Sequence, residues 1–288
     1  MENIVWIASF PRSGNTWLRC FLAGLLQESE ELDLDRLPTV HCANRARVEQ
    51  SLCFSTGDLT SSEINILRPG VYRHWAEACD SSLPLFVKTH DCYVNNNLGS
   101  PIFPADASRA AIYLIRNPLD VCVSYANFWG GHDYETAADY ICDRQHSHPL
   151  DHSNMFGQLF QHISDWSTHV KSWRDDCDIP TKIVRYEDMK MAPASTFLDI
   201  VRFLQLPFGE QDVETSLEKC DFAKLQNTES VSGFGERPYE GDRFFRQGRV
   251  DGWRNSLQAQ TVEQLVNCHF EEMARYRYLQ EDGSIIAD

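Results

Sequence analysis

No apolar run in the 288-residue chain approaches the roughly 20 residues needed to span a bilayer. A basic N-terminal region and a cleavage signal are also missing, and the chain begins almost at once with a strand-like run, which favours the cytosol over a membrane-anchored setting. Positive charge is scarce: 42 acidic residues against 26 basic ones give a net charge of −16 and a pI near 5.0. That balance argues against nucleic acid or an anionic membrane as the main partner. Any anion site must be local, built from a few placed Arg and Lys side chains. The ten cysteines include no C-x-x-C pair, and without a secretion signal no disulfide framework is expected. Cys20, Cys122, Cys220 and Cys268 fall in helical patterns and read as small core residues. No internal repeat or long linker divides the sequence, so a single α/β domain over residues 1–288 is expected.

Residues 4–26 read as strand, tight loop and helix. Ile4-Val5-Trp6-Ile7 is apolar without alternation, as in a strand buried on both faces of a parallel sheet. Phe10-Pro11-Arg12-Ser13-Gly14-Asn15-Thr16-Trp17 follows as a compact turn, and Trp17, Leu18, Phe21, Leu22, Leu25 and Leu26 then repeat at helical spacing. Such a loop aims unpaired backbone N–H groups and the positive end of a helix dipole at one point, which suits a phosphate. Arg12 adds a fixed charge. The loop is not the kinase-type G-x-x-x-x-G-K-[ST], because it has one glycine and its basic residue precedes that glycine by two positions.

Further along, Glu28–Asp80 is polar and weakly periodic, with Pro69-Gly70 introducing a short helix through Tyr72, Trp75 and Ala76; it carries no evident chemistry. Pro84–His90 is a strand delivering Lys88, Thr89 and His90 at its carboxyl end, where ligands of parallel sheets collect and a neutral imidazole suits a general base. Asp91–Pro104 reads as a surface loop. Ala110–Ile115 is a strand leading to Arg116, with Asn117 as N-cap and Pro118 as first residue of a helix that carries Ser124. Gly130–Asn154 is loop-rich and holds His132, His146, His148 and His152, but no nearby Cys or acidic ligand set completes a recognisable metal pattern. Asn154–Cys177 has one amphipathic stripe and reads as one long helix. Thr181–Arg185 is a strand running into Tyr186-Glu187-Asp188. Pro193–Leu206, Glu210–Leu217 and Thr261–Arg275 read as helices, the last with Val262, Leu265, Val266, Phe270 and Met273 on its core side. Ser230–Asp242, with three Gly and one Pro, reads as a mobile loop leading to a possible guanidinium cradle of Arg246, Arg249 and Arg254.

The order of these pieces resembles one family. F-P-R-S-G-N-T-W-L, His90 at a strand end, I-R-N-P-L-D-V-C-V-S, Tyr186-Glu187-Asp188 and the segment from Arg246 to Asn255 are similar to soluble sulfotransferases that use 3′-phosphoadenosine 5′-phosphosulfate (PAPS). The resemblance implies a central parallel sheet flanked by helices, related to nucleotide kinases, and no metal. By the same resemblance, Ser13, Gly14, Asn15, Thr16 and Trp17 hold the 5′-phosphosulfate. Arg116, Ser124, Arg246, Gln247 and Gly248 take the 3′-phosphate. Trp17 and Phe222 sandwich adenine, Tyr186 meets its edge, His90 is the base and Lys88 steadies the sulfuryl group. Arg12 stands where the family most often has Lys; it keeps the charge but loses a compact ammonium. Gln247 replaces a usual cation, with Arg249 as a candidate substitute, and Asp251-Gly252 inverts the commoner order before Trp253. The expected acceptor is a hydroxyl on a small molecule or on a carrier-bound group. Two other classes stay open on the residues alone: a metal-dependent ATP kinase on a related sheet, which lacks its Lys-Ser/Thr pair, and a non-catalytic nucleotide-binding protein.

Overall fold

Short apolar strands that end in polar residues organise the chain. The computed structural model describes residues 2–29, 31–79, 82–128, 131–148, 157–237, 243–280 and 282–286. Among them, seven strands follow in chain order: β1 (Ile4–Ser9), β2 (Val40–His41), β3 (Leu85–Thr89), β4 (Ser108–Ile115), β5 (Ser147–His148), β6 (Gln161–His162) and β7 (Thr181–Arg185). Five of them form the central sheet, in the order β2-β3-β1-β4-β7, while β5 and β6 make a small antiparallel pair. β1 runs parallel to β3, from Ile4 opposite Leu85 to Ala8 opposite Thr89, and β2 runs parallel to β3 on its other side. Every residue of β1 is buried, as its unbroken apolar run predicts. The α/β class with a central parallel sheet flanked by helices is therefore the observed one.

Eleven α-helices and three short 3-10 turns accompany the strands among the described residues: α1 (Asn15–Leu26), α2 (Arg45–Leu52), α3 (Ser61–Ala78), α4 (Pro118–Phe128), α5 (Tyr134–Cys142), α6 (Trp166–Asp175), α7 (Tyr186–Met191), α8 (Pro193–Phe203), α9 (Glu210–Lys219), α10 (Phe222–Ser232) and α11 (Ala259–Arg275). By packing, the chain forms two compact units. The first comprises Met1–Phe10, Thr39–Tyr113 and Arg144–Ile183; the second comprises Pro11–Pro38, Leu114–Asp143 and Val184–Asp288. Among the described residues, no helix is long and apolar enough to cross a membrane.

In the first unit, Trp6 of β1 meets Tyr72 and Phe103 edge-on, with ring centres 5.1 and 4.8 Å away, and Phe103 lies 5.0 Å from Trp173. The expected surface loop Asp91–Pro104 is exposed only in its middle, at Asn95 and residues 97–100, whereas at its ends Asp91, Cys92, Tyr93, Ile102 and Phe103 are buried. The segment between β1 and β3 is also more ordered than its weak periodicity suggests. α3 starts at Ser61, fixed by a reciprocal capping box between Thr60 and Glu63, and runs straight through Pro69. Proline has no N–H to give the carbonyl four residues back; the Asn96 side-chain amide donates to that Asn65 carbonyl instead, at 3.4 Å.

Other boundaries differ for similarly local reasons. The long helix expected over Asn154–Cys177 begins only at Trp166, because Ser164 is left-handed (φ 63°) and Asp165 caps the helix through Thr168. Leu159 and Ile163 are buried all the same, beside the short strand β6; Phe156 lies outside the described residues. The expected loop Gly130–Asn154 contains α5, capped by Asp133, and β5. Ser230–Ser232 ends α10, and residues 238–242 lie outside the described set. α11 buries Thr261, Leu265, His269, Glu272 and Met273, which leaves Phe270 47% exposed and Cys268 on the surface rather than in the core. All ten cysteines are free.

In the second unit, α1 packs on α9 and α4 packs on α5 and α11. Phe21 and Phe197 join α1 to α8, with ring centres 4.3 Å apart.

A buried ion pair fixes the end of β3. Arg68 of α3, fully buried, holds Asp91 with both terminal nitrogens at 2.6 and 3.2 Å, and its Nε donates to the Tyr72 hydroxyl at 2.7 Å. Replacing Arg68 with Met leaves the Asp91 carboxylate buried and unpaired, so a loss of about 3–5 kcal/mol is expected in denaturant unfolding. A loss below about 1 kcal/mol would show that water or a neighbour compensates it.

Candidate active site

The loop after β1 is shaped by two unusual backbone conformations. Arg12 is left-handed (φ 70°), and Gly14, which caps α1, has φ 98°. A Cβ on Gly14 would stand 2.7 Å from the Tyr186 ring, so both conformation and space require glycine there. Trp17 and Leu18 donate their N–H groups to the Gly14 carbonyl at 3.0 and 3.3 Å, while the N–H groups of the first turn before them have no acceptor within the helix. The Ser13 hydroxyl is buried and has no hydrogen-bond partner among the described residues. A helix N-terminus beside that hydroxyl is suited to an anion of phosphate size.

Arg12 does not simply stand at the mouth of this loop. Its guanidinium lies between the rings of Phe128 and Phe244, 4.3 and 4.8 Å from their centres, and its Nε donates to Ser124 Oγ at 3.1 Å. The two ends of the expected anion site are therefore bonded directly to each other, rather than built as separate pockets. A flat guanidinium fits between two aromatic faces in a way an ammonium does not, which gives the Arg12 substitution a physical reason. Arg116, at the end of β4, donates to the backbone carbonyls of Arg12 and Arg249 at 3.1 and 3.0 Å and covers the Tyr186 ring at 4.3 Å. Its Nε is buried without a partner among the described residues. Burial, then the Arg116 charge, pushes Arg12 down to about 10, and the same two causes lower Arg246. A cation whose charge lowers the pKa of two neighbouring arginines marks a place for an anion.

The arginine-rich segment is pinned by main-chain contacts. The Asp120 carboxylate of α4 accepts the N–H groups of Asp251 and Trp253 at 2.9 and 3.0 Å, so the inverted Asp251-Gly252 pair makes its turn with Asp251 at φ 60°. Gln226 of α10 donates to the carbonyls of Phe245 and Arg246, and Glu229 accepts the N–H groups of Phe244 and Phe245. Gly248 is left-handed, and a Cβ there would be 2.5 Å from the Phe222 ring. Arg246, Gln247 and Arg249 line a cavity of about 280 Å³ with Asp251 and Asn255. Arg254 is turned to Asp251 at 3.1 Å and takes no part in the cluster around Arg116. Trp17, Tyr186 and Phe222 come together as expected, and Lys190 of α7, absent from the sequence expectations, stands over the rings of Trp17 and Phe222. Thr16 and Asn15 are buried in the first turn of α1.

In the first unit, His90 follows β3. Its Nδ1 lies 2.9 Å from the Ser9 carbonyl, which can only accept, so Nδ1 carries the proton and Nε2 keeps a lone pair. Nε2 makes no hydrogen bond among the described residues. The His90 carbonyl accepts from His169 Nε2 at 3.0 Å, and His169 Nδ1 accepts from the Tyr113 hydroxyl at 2.8 Å. With Asp91 held by Arg68 and by the His162 N–H at 3.1 Å, the main chain around the imidazole is fixed on both sides. Burial, then the charge of the buried Lys88, holds His90 well below its usual value; burial takes His169 down to about 4 and lowers His148. The rings of His41 and His148 stand 6.4 and 6.5 Å from His90, and His146 is 5.9 Å from His148. His41 comes from the segment that read as free of chemistry. His132 is exposed, and His152 lies outside the described residues. Among the described residues, no group of three or more His, Cys, Asp or Glu side chains is placed to hold a metal ion.

These histidines set a pH dependence. His90, held well below its usual value, and His169, at about 4, stay neutral in the fold as the pH falls below 6.5, whereas in the unfolded chain each takes a proton near pH 6.5. The unfolded state then binds up to about two more protons, and stability, complete above pH 6.5, is lost on acidification. Between pH 6.5 and 5 the slope should approach about 2–3 kcal/mol per pH unit, measured by urea unfolding. A flat profile across that window contradicts the assigned burial.

The sulfotransferase-domain family model matches residues 2–277. Cytosolic sulfotransferase 12 of Arabidopsis thaliana is 27% identical over 274 residues, spanning 92% of this chain and 75% of the relative. Flavonol 3-sulfotransferase of Flaveria bidentis is 24% identical over 286 residues, spanning 91% and 79%. Among solved structures, mouse sulfotransferase SULT7A1 complexed with PAP superposes with a TM-score of 0.60 at 16% identity, over 95% of this chain and 84% of that one. Retinol dehydratase in complex with androsterone and inactive cofactor PAP gives 0.61 at 18% identity, over 94% and 80%. These two likenesses are of fold. With the family match spanning nearly its whole length, the chain belongs to the sulfotransferase family.

Proposed function

We propose that the chain, working as one sulfotransferase domain in the cytoplasm, moves a sulfuryl group from PAPS to the hydroxyl of a small-molecule acceptor and leaves adenosine 3′,5′-bisphosphate (PAP). The observation that carries this reading is the junction of Arg12, Ser124 and Arg116, where a helix-N-terminal loop and a second cation cluster meet through two hydrogen bonds. A ligand with anionic groups at both ends matches that arrangement better than a single phosphate does. The orphaned Ser13 hydroxyl and Arg116 Nε supply donors for it.

In this reading, Ser13, Gly14, Asn15, Thr16 and Trp17 hold the 5′-phosphosulfate. Arg116, Ser124, Arg246, Gln247 and Gly248 hold the 3′-phosphate, and Trp17, Phe222 and Tyr186 hold the base. The donor supplies an activated sulfuryl group, transferred in line as in phosphoryl transfer, so positioning and charge stabilisation carry most of the rate. Arg12 and the loop N–H groups meet the charge that grows on the bridging oxygen as the S–O bond breaks. His90 takes the acceptor proton on Nε2, Ser9 keeps its tautomer, and Lys88 steadies the transferring group. A flavonol 3-sulfotransferase and a luciferin sulfotransferase of Photinus pyralis are among the relatives, which supports a small hydroxyl-bearing acceptor. The kinase alternative needs a Lys-Ser/Thr pair after the loop glycine, where this chain has Asn15-Thr16.

Thermal unfolding with added ligand tests the donor. PAP at 100 times its Kd adds about 2.7 kcal/mol, and ATP with magnesium should add little; the reverse order would favour the kinase. His90→Ala should lower kcat by roughly 10²–10⁴-fold with PAP affinity unchanged, and near wild-type kcat would remove His90 from the role. Because a base works deprotonated and His90 is held well below 6.5, kcat should stay level from neutral pH to well below 6.5. An acid limb centred at or above 6.5 contradicts a buried, cation-flanked base.

A further inference from the structure

Lys190 is a cation that the assigned donor site does not use. It sits in the short helix α7, four residues after Tyr186, and its ammonium lies 5.1 Å from the centre of the Trp17 ring and 5.5 Å from that of Phe222. One charge over two rings means that both aromatic faces look toward the same point. Among the described residues the ammonium makes no hydrogen bond and no ion pair; its contacts are those two rings. The nearest opposite charge, Asp221, has a carboxylate oxygen already accepting the N–H groups of Ala223 and Lys224 at 2.9 and 3.4 Å, as the cap of α10. Burial, only partly offset by Asp221, and then the Arg116 charge lower the Lys190 pKa, so the side chain is partly desolvated beside another cation.

An ammonium has three donors and no acceptor. Leaving them without an oxygen or nitrogen partner in a half-buried place is costly, and cation–π contact makes up only part of that cost. A purine stacked between Trp17 and Phe222 brings ring nitrogens with lone pairs to the point the ammonium faces. The four-carbon stem of lysine lets the charge withdraw to the rim of the stack without any movement of α7.

Resting on the PAPS reading above, we propose that Lys190 is a binding residue of the donor site, whose ammonium donates a hydrogen bond to an acceptor nitrogen of the purine held between Trp17 and Phe222. The contact selects for the base and is independent of the 3′-phosphate.

Calorimetric titration of wild type, Lys190→Met and Lys190→Gln with PAP and with adenosine 5′-monophosphate (AMP) tests this. Lys190→Met is expected to weaken both ligands by the same factor, about 10- to 100-fold for a charge-assisted hydrogen bond. Lys190→Gln, which keeps N–H donors and makes the test safe against misfolding of the Met variant, should recover part of the loss. Equal or tighter PAP binding by Lys190→Met, with wild type binding normally, overturns the assignment of Lys190 alone; tighter binding would mean that the ammonium competes with the base. A loss confined to PAP places the charge on the 3′-phosphate and overturns the base contact. Failure of wild type to bind PAP overturns the donor reading and this contact together.

Discussion

Like charges held together with no ion-paired carboxylate on Arg12 or Arg116 among the described residues are the constraint on which the second unit is built. Arg116 is fixed by two backbone carbonyls, those of Arg12 and Arg249, and by the face of Tyr186. Arg12 is fixed by two phenyl rings and the Ser124 hydroxyl. Dipoles and aromatic faces orient these guanidiniums without cancelling their charge, so a chain of net charge −16 keeps a small region of opposite sign. The carboxylates close to this region serve the main chain instead. Asp120 holds the turn at Asp251 and Trp253, and Glu187 accepts the Asn117 N–H at 2.9 Å and the Tyr278 hydroxyl at 3.0 Å. Burial raises the pKa of both, yet each keeps its position through hydrogen bonds rather than by pairing with the arginines of the site.

The imidazole in the first unit is prepared in a different way, by fixing its backbone and tautomer. Ser9 is the last residue of β1, and its carbonyl chooses the His90 tautomer; three residues later in sequence stands Arg12. Strand β1 thus supplies the acceptor that orients the proposed base, and the loop proposed to hold an anion follows it in the chain. His169, Tyr113, Arg68 and Asp91 add no chemistry of their own to this arrangement. They hold the peptide on either side of His90, at the cost of burying an ion pair and a histidine that cannot ionise near neutral pH.

Much of this was legible in the residues because parallel strands and helix starts leave strong local marks. β1, β3, β4 and β7 fall within two residues of the runs that predict them, and the Asn117-Pro118 start of α4 is as expected. The helices missed or misplaced share one cause. α3, α5, α6 and α10 each begin at a Thr or Asp cap, namely Thr60, Asp133, Asp165 and Asp221. Periodicity hides these signals where the apolar stripe is weak or runs on past the cap, as it does from Leu159 to Trp173. Residues carried by a motif stood out as site candidates in the sequence, whereas His41, Lys190, Phe128 and Phe244, which the structure places beside them, did not. Their roles depend on which distant segment folds against them, and no local pattern records that. Arg12 and Ser124, assigned to opposite ends of the donor, turned out to be bonded neighbours for the same reason.

The central claim is that the Arg116 cluster grips a second anionic group, distinct from the one held at the N-terminus of α1. The most direct measurement is a thermodynamic cycle between Arg116→Met and removal of the 3′-phosphate from the ligand. Wild type should bind PAP at least about 100-fold more tightly than AMP, as expected for a charge-assisted pair worth about 3 kcal/mol. Arg116→Met should lose most of that preference while its AMP affinity changes little. A variant that still discriminates between the two ligands as wild type does would contradict the account.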